Sequence, residues 1–351
     1  NFMTIYLYLL IFIILLSTFI FLETKKINFD RKNTFIFLST FLILISSFRW
    51  NVGGDWGSYL SLYNHTSYSY FQFNWSLTFV IINNFFALIG GGIYGVNLFI
   101  ASIFYLSLYR LGKLLNFDIL LILLISFSLV YFNGLMGYVR QTLCLTFLIF
   151  SIEFLFRKKN YISTLFYILA ITSHISSIIF IPIYLFIHFK NLRNTLIIIF
   201  ISVFLFFINN DRLIFAFENF IIKGNISAGS VYRSFPLIVC CIYFFIYRKK
   251  FISENRNCNF LIDYLFFISI FLILIIFFVP SLTTIADRLS FYLIIFQIFI
   301  CGKFFNTVIK PLDKNYLHSV IFVSISYFLL TFLWLIFGDY SIFWLNYNFL
   351  Y

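Results

Sequence analysis

Residues Phe260–Val279 read F-L-I-D-Y-L-F-F-I-S-I-F-L-I-L-I-I-F-F-V, twenty positions with a single charge, Asp263, near one end. Wound as a helix at about 1.5 Å per residue, such a run covers roughly 30 Å, the hydrocarbon thickness of a bilayer. Similar runs recur along the chain, which is 62% hydrophobic and only 10% charged over 351 residues. A soluble domain of this size cannot bury that much apolar surface. A membrane β-barrel would show short alternating segments instead. The fold class is therefore all-α: a polytopic integral membrane protein with about twelve transmembrane helices in one domain, residues 1–351, and no soluble domain.

The individual spans follow from the same pattern. Ile5–Leu22 lacks a basic start and a small-residue cleavage site, so it reads as a retained helix and not a signal peptide. Thr34–Phe48, Ile93–Tyr109, Asp118–Phe132, Arg140–Phe156, Thr195–Ile208, Phe235–Tyr247, Leu289–Ile300 and Leu317–Phe337 are further spans. Asn133–Tyr138 reads as a short outer turn, and Pro280–Arg288 as an outer loop. Tyr161–Phe189 holds two short helices broken near Ser173-His174. Ser76–Ile89 is short and precedes three glycines, so it reads as an interfacial or re-entrant helix. With both termini outside, the inner loops collect 18 of the 24 lysines and arginines. That bias fixes the orientation and explains the net charge of +12 without any nucleic-acid partner. The main outer loops are then about 49–92 and 209–234. Five cysteines fall in apolar runs or a basic inner loop, so no disulfides are expected, and no Cys/His spacing suits a metal.

Chemistry concentrates in what the spans leave outside. Ser47–Tyr63 reads S-F-R-W-N-V-G-G-D-W-G-S-Y-L-S-L-Y. Arg49 offers a planar fork of donors suited to phosphate or carboxylate, and Asp55 can accept a proton. Trp50, Trp56 and Tyr59 offer flat faces and polar edges to sugars. An interfacial aromatic cap with one loop-tying ion pair accounts for the same residues. Arg140-Gln141 opens a span at its outer end, where a snorkelling arginine is the alternative. His174 sits at a helix break and can take a proton near neutral pH, or it can simply cap a serine-rich turn. Asp287-Arg288, with Tyr292 one turn on, can bind substrate or form a mutual ion pair. Asp211 and Arg212 in the longest outer loop could do the same job. The assigned topology puts Arg49, Asp55, Arg140, His174, Asp287 and Arg288 on one outer face, where charges at membrane depth usually face a cavity or each other.

The ordered set R-x-x-V-G-x-D-x-x-x-Y at Arg49–Tyr59, Arg140-Gln141, His174-x-Ser176 and Arg288-Leu289-x-x-Tyr292 resembles the EpsG-like, Wzy-type polysaccharide polymerases over nearly the whole chain. Cys144 stands where that family favours alanine, a change between small residues. The resemblance implies a bacterial inner-membrane glycosyltransferase with its active site facing the periplasm. It would join oligosaccharide repeat units carried on undecaprenyl diphosphate, with O-antigen the expected product. Membrane lipids and a chain-length regulator protein are the other implied partners. The implied catalytic residues are His174, Asp55 and Arg140. Arg49, Arg140, Gln141, Arg288, Asp287, Trp56 and Tyr59 would bind substrate, and no metal or other cofactor is required. Two rivals use the same carrier: an O-antigen ligase, which usually has a larger outer loop, and a flippase or transporter, for which charges deep in spans and an internal repeat are expected. An acyltransferase would want a histidine followed by an acid in a short motif, which the chain lacks.

Overall fold

The computed structural model describes residues 2–25, 30–68, 76–188, 229–251, 256–309, 315–338 and 340–349, with Glu218, Ser227 and Asp313. Nearly all of these residues are helical. In chain order the helices are α1 (Phe2–Lys25), α2 (Arg31–Ser47), α3 (Trp56–Tyr68), α4 (Leu77–Leu88), α5 (Gly92–Leu115), α6 (Ile119–Ser126), α7 (Val139–Phe156), α8 (Asn160–Ser173), α9 (Ile181–His188), α10 (Ser230–Phe251), α11 (Arg256–Phe278), α12 (Thr283–Ser290), α13 (Ile294–Thr307), α14 (Tyr316–Phe337) and the single turn α15 (Ile342–Leu345). Two short strands, β1 (Arg49–Trp50) and β2 (Asn348–Phe349), pair antiparallel.

Eight helical runs among the described residues are long and apolar enough to cross a membrane, so the polytopic all-α expectation holds. The expected count of about twelve is not reached among them. Of the remaining four, α2 has 17 residues, while α8 and α9 have 14 and 8. Thr195–Ile208 lies outside the described residues, as do Asp211 and Arg212. Ser76–Ile89 contains α4, whose 12 residues are too short to span.

Two expectations are corrected. Asn133–Tyr138 is not an outer turn: α6 continues as an eleven-residue π-helix, Phe127–Gly137, almost wholly buried. The wider π-turn is visible where the Tyr138 N–H donates to the Asn133 carbonyl, five residues back, at 2.7 Å. Pro280–Arg288 is not a loop either. A 3₁₀ turn at Pro280–Leu282 leads into α12, and a second at Phe291–Leu293 leads into α13. The expected break near His174 is present: α8 ends at Ser173, and a 3₁₀ turn, Ile175–Phe180, separates it from α9.

The chain forms two compact units. The first comprises residues 1–72, 80–146 and 301–351. In lipid, apolar burial barely distinguishes a helix neighbour from an acyl chain, so helix association rests on close packing and polar contacts. Here Phe12 of α1 stacks on Phe328 of α14 with ring centroids 4.0 Å apart. Asp30 and Asp118 cap α2 and α6 by accepting from the N–H groups of Lys32 and Leu120, both at 2.9 Å. Arg31 joins Glu23 at the end of α1 to Asp118, and so ties three helix ends together. The second unit comprises residues 73–79 and 147–300. Within it, Ser151 of α7 and Ser163 of α8 exchange hydrogen bonds, and Tyr167 and Tyr184 stack at 3.9 Å.

Candidate functional site

In the first unit the motif beginning at Arg49 folds into a tight loop. α2 stops at Phe48, β1 makes its two-residue pair, and the chain then reverses through Asn51 (φ 55°) and Gly53 (φ 101°). The reversal brings Trp56 back, so that the Arg49 guanidinium lies 5.3 Å from the centroid of its ring. Arg49 is 1% exposed. Its Nε donates to the Val52 carbonyl at 3.3 Å and an Nη donates to Ser46 O. Among the described residues no carboxylate pairs with it. Burial lowers its pKa to about 10, while neighbouring Tyr131, Tyr347, Tyr59 and Tyr8 offset part of the fall. The group stays cationic at neutral pH. An ion taken from water without a counter-ion costs several kcal/mol even after relaxation. Carbonyls, a tryptophan face and phenols supply only part of that in return, so the site has a standing demand for negative charge.

Tyr59 connects this group to Asp55 and Arg140. Its phenol is pushed up to about 12 by burial and then by the Asp55 carboxylate, and hydrogen bonding to Arg140 moderates the rise. Arg140, second residue of α7, holds its guanidinium 5.4 Å from the Tyr59 centroid, and its buried Nε makes no hydrogen bond. Gln141 beside it is buried, with Oε1 likewise unpartnered. Arg49, Asp55, Trp56, Tyr59 and Arg140 are thus one cluster in the first unit.

The last turn and strand of the chain close over that cluster. Gly53 N–H donates to Phe343 O at 2.8 Å, and the Tyr347 hydroxyl donates to Ile45 O at 2.6 Å. Trp344 is buried, and its Nε1–H donates to Phe132 O of the π-helix at 2.8 Å. Thr4 and Tyr8 of α1 donate to the carbonyls of Leu345 and Trp344.

In the second unit, His174 adopts an extended backbone and caps the 3₁₀ turn. Its Nδ1 accepts from Ser176 N–H at 3.3 Å and lies 3.2 Å from the Tyr292 hydroxyl. The turn-capping alternative is therefore what the structure contains, joined to Tyr292. In the neutral ring, acceptance at Nδ1 places the proton on Nε2, which makes His174 a donor there. Asp287 does not pair with its neighbour Arg288. It takes a two-pronged ion pair from Arg233, with Nε at 2.8 Å from Oδ1, and a hydrogen bond from Ser227 Oγ at 3.0 Å. Arg288 is exposed at the end of α12.

A model of the EpsG family matches residues 32–349, which takes in every residue just described except Thr4 and Tyr8. The chain belongs to the EpsG family. No curated protein and no solved structure matches it. Membership supports a multi-pass membrane protein of the polysaccharide-polymerase kind, and a glycosyltransferase-like activity.

For this EpsG family member, sequence reasoning missed Tyr131, Arg233, Trp344 and Tyr347. Arg233 carried a signal, being one of five arginines on the face assigned as outer. The pair it forms is testable. Arg233→Ala leaves the mostly buried Asp287 carboxylate without its cation, for an expected loss of about 2 kcal/mol. The melting temperature in detergent should fall, and Asp287→Asn added to that variant should recover part of the loss. A further drop in the double variant would refute the pairing.

Proposed function

We propose that this protein is a surface-polysaccharide polymerase that joins undecaprenyl-diphosphate-linked repeat units at the periplasmic face of the bacterial inner membrane, with O-antigen as its product. Family membership supports the general class. The lysine and arginine bias, 18 of 24 in loops on one side of the assigned topology, supports the orientation. The observation that carries the chemistry is the buried Arg49, which pairs with no carboxylate among the described residues and is coupled through Tyr59 to Arg140.

In the reaction, the bond between the anomeric carbon of the growing glycan and the diphosphate oxygen breaks. The electron pair leaves with undecaprenyl diphosphate. A hydroxyl at the non-reducing end of the incoming unit forms the new glycosidic bond and gives up its proton. Charge develops on the leaving diphosphate, where fixed cations already in place act most strongly. Arg140 and Arg49 take that role, with Gln141 and the Tyr59 hydroxyl as neutral donors. Trp56, buried with its ring against Arg49, holds that guanidinium in place. Asp55 receives the acceptor proton. Within the second unit, His174, through Nε2–H, and Arg288 offer donors to phosphate, and Arg233 holds Asp287 in place. A chain-length regulator is the expected protein partner.

The test is the lipopolysaccharide banding of a strain lacking the protein. Collapse of the ladder to core plus one repeat unit is the expected result. Core with no repeat unit at all would favour a ligase or a flippase instead.

A further inference from the structure

The π-helical segment contains an observation that the roles above do not use. Tyr131 is fully buried, and its hydroxyl has no hydrogen-bond partner among the described residues. Its ring is held firmly, stacked on Phe127 at 5.0 Å and set edge-on against Phe132 at 5.4 Å. The neighbouring backbone is also pinned, because Trp344 Nε1–H takes Phe132 O. The hydroxyl lies within electrostatic reach of Arg49, and also of Tyr8 and Tyr347, two other phenols that act on that cation. Those two already donate to backbone carbonyls, so neither has a proton left for a ligand. Tyr131 does.

A buried hydroxyl without a partner costs about 1–3 kcal/mol. Phenylalanine would fill the same space without that cost. π-Helical turns are themselves uncommon and are frequently found at functional sites. A tyrosine at this position is a net cost to the fold unless its proton is used in some other state of the protein.

We propose that Tyr131 is a substrate-contacting residue, donating its phenolic proton to the same phosphate-bearing group that Arg49 attracts. This rests on the polymerase reading above and adds a residue to it. Both groups are buried in this structure.

Tyr131→Phe tests the proposal, because it removes one oxygen and keeps the ring. Wild type and variant are compared in the deletion strain for ladder length, as purified proteins for turnover of lipid-linked repeat units, and in detergent for melting temperature. The expected result is a fall in turnover of about a hundredfold, the scale of losing one preorganised donor, with a melting temperature at or above wild type. Full turnover with a raised melting temperature would mean that the hydroxyl serves nothing. Turnover and melting temperature falling together would make it a structural group. Either result overturns the proposal. If the wild-type protein itself restores no ladder, the polymerase reading fails, independently of Tyr131.

Discussion

Replacing Arg140 by alanine is expected to abolish chain lengthening while the protein still accumulates in the membrane. Arg140 begins a helix whose body is apolar and buried, so the fold does not depend on its charge. Its guanidinium leans on Tyr59, and its Nε is buried without a partner. A truncated side chain therefore removes a cation and a donor from the cluster without orphaning a carboxylate bonded to it. A single preorganised donor contributes about 10²–10³ in rate to a transition state that develops charge. A guanidinium facing a diphosphate should contribute at least that. Arg140→Lys keeps the charge but loses the planar fork, and should fall between wild type and alanine. Ladder length in the complemented deletion strain and protein level in the membrane fraction are the two readouts. A normal ladder from Arg140→Ala would end the diphosphate role.

The second large effect is expected at Gly53. Its φ of 101° is one that side-chain-bearing residues rarely adopt, and a Cβ there would sit 1.9 Å from the Met136 carbonyl oxygen and 3.2 Å from Gly137 Cα. Both obstacles are backbone, so no rotamer can relieve them. Gly53→Ala must therefore move the loop off the π-helix or change its turn. Either way the reversal that sets Trp56 against Arg49 is lost. Polymerisation should fall below detection. Gly57, four residues on, is the control: its added methyl group meets nothing within 4 Å. Gly57→Ala lies inside α3, where alanine is favoured over glycine by about 1 kcal/mol, and should leave the ladder intact. Equal activity in the two variants would show that the loop has no fixed conformation to lose.

Much of this fold was legible because lipid imposes a crude code. Length and apolarity located α1, α5, α7, α11 and α14, and the polar Ser173-His174 pair marked the break between α8 and α9. The π-helix was not legible, for a physical reason. From Leu120 to Phe132 almost every position is apolar, so no face distinguishes one helical period from another. Gly134 and Gly137 then imitated a turn, although close packing against neighbours is what glycine serves here, with Trp344 seated where a Gly137 side chain would be. In the candidate site, residue types were informative and partnerships were not. Arg49, Tyr59 and Arg140 lie together in the first unit, whereas Asp287 found its cation 54 positions away in Arg233 and not next door. Nothing local marked the aromatic tail after α14 as a partner of the loop that holds Arg49.

That partnership bears on how the protein is made. Synthesis makes Arg49 early, yet the loop that holds it and the helices beside that loop bond to Phe343, Trp344 and Tyr347, some three hundred residues later. Thr4 and Tyr8 likewise wait for the carbonyls of Leu345 and Trp344. A nascent chain can insert its spans one after another, but it cannot assemble this cluster until residues 343–347 have left the ribosome. Products truncated after Phe337 would thus reach the membrane as helical but inert protein. A half-made chain would lack the assembled Arg49 cluster.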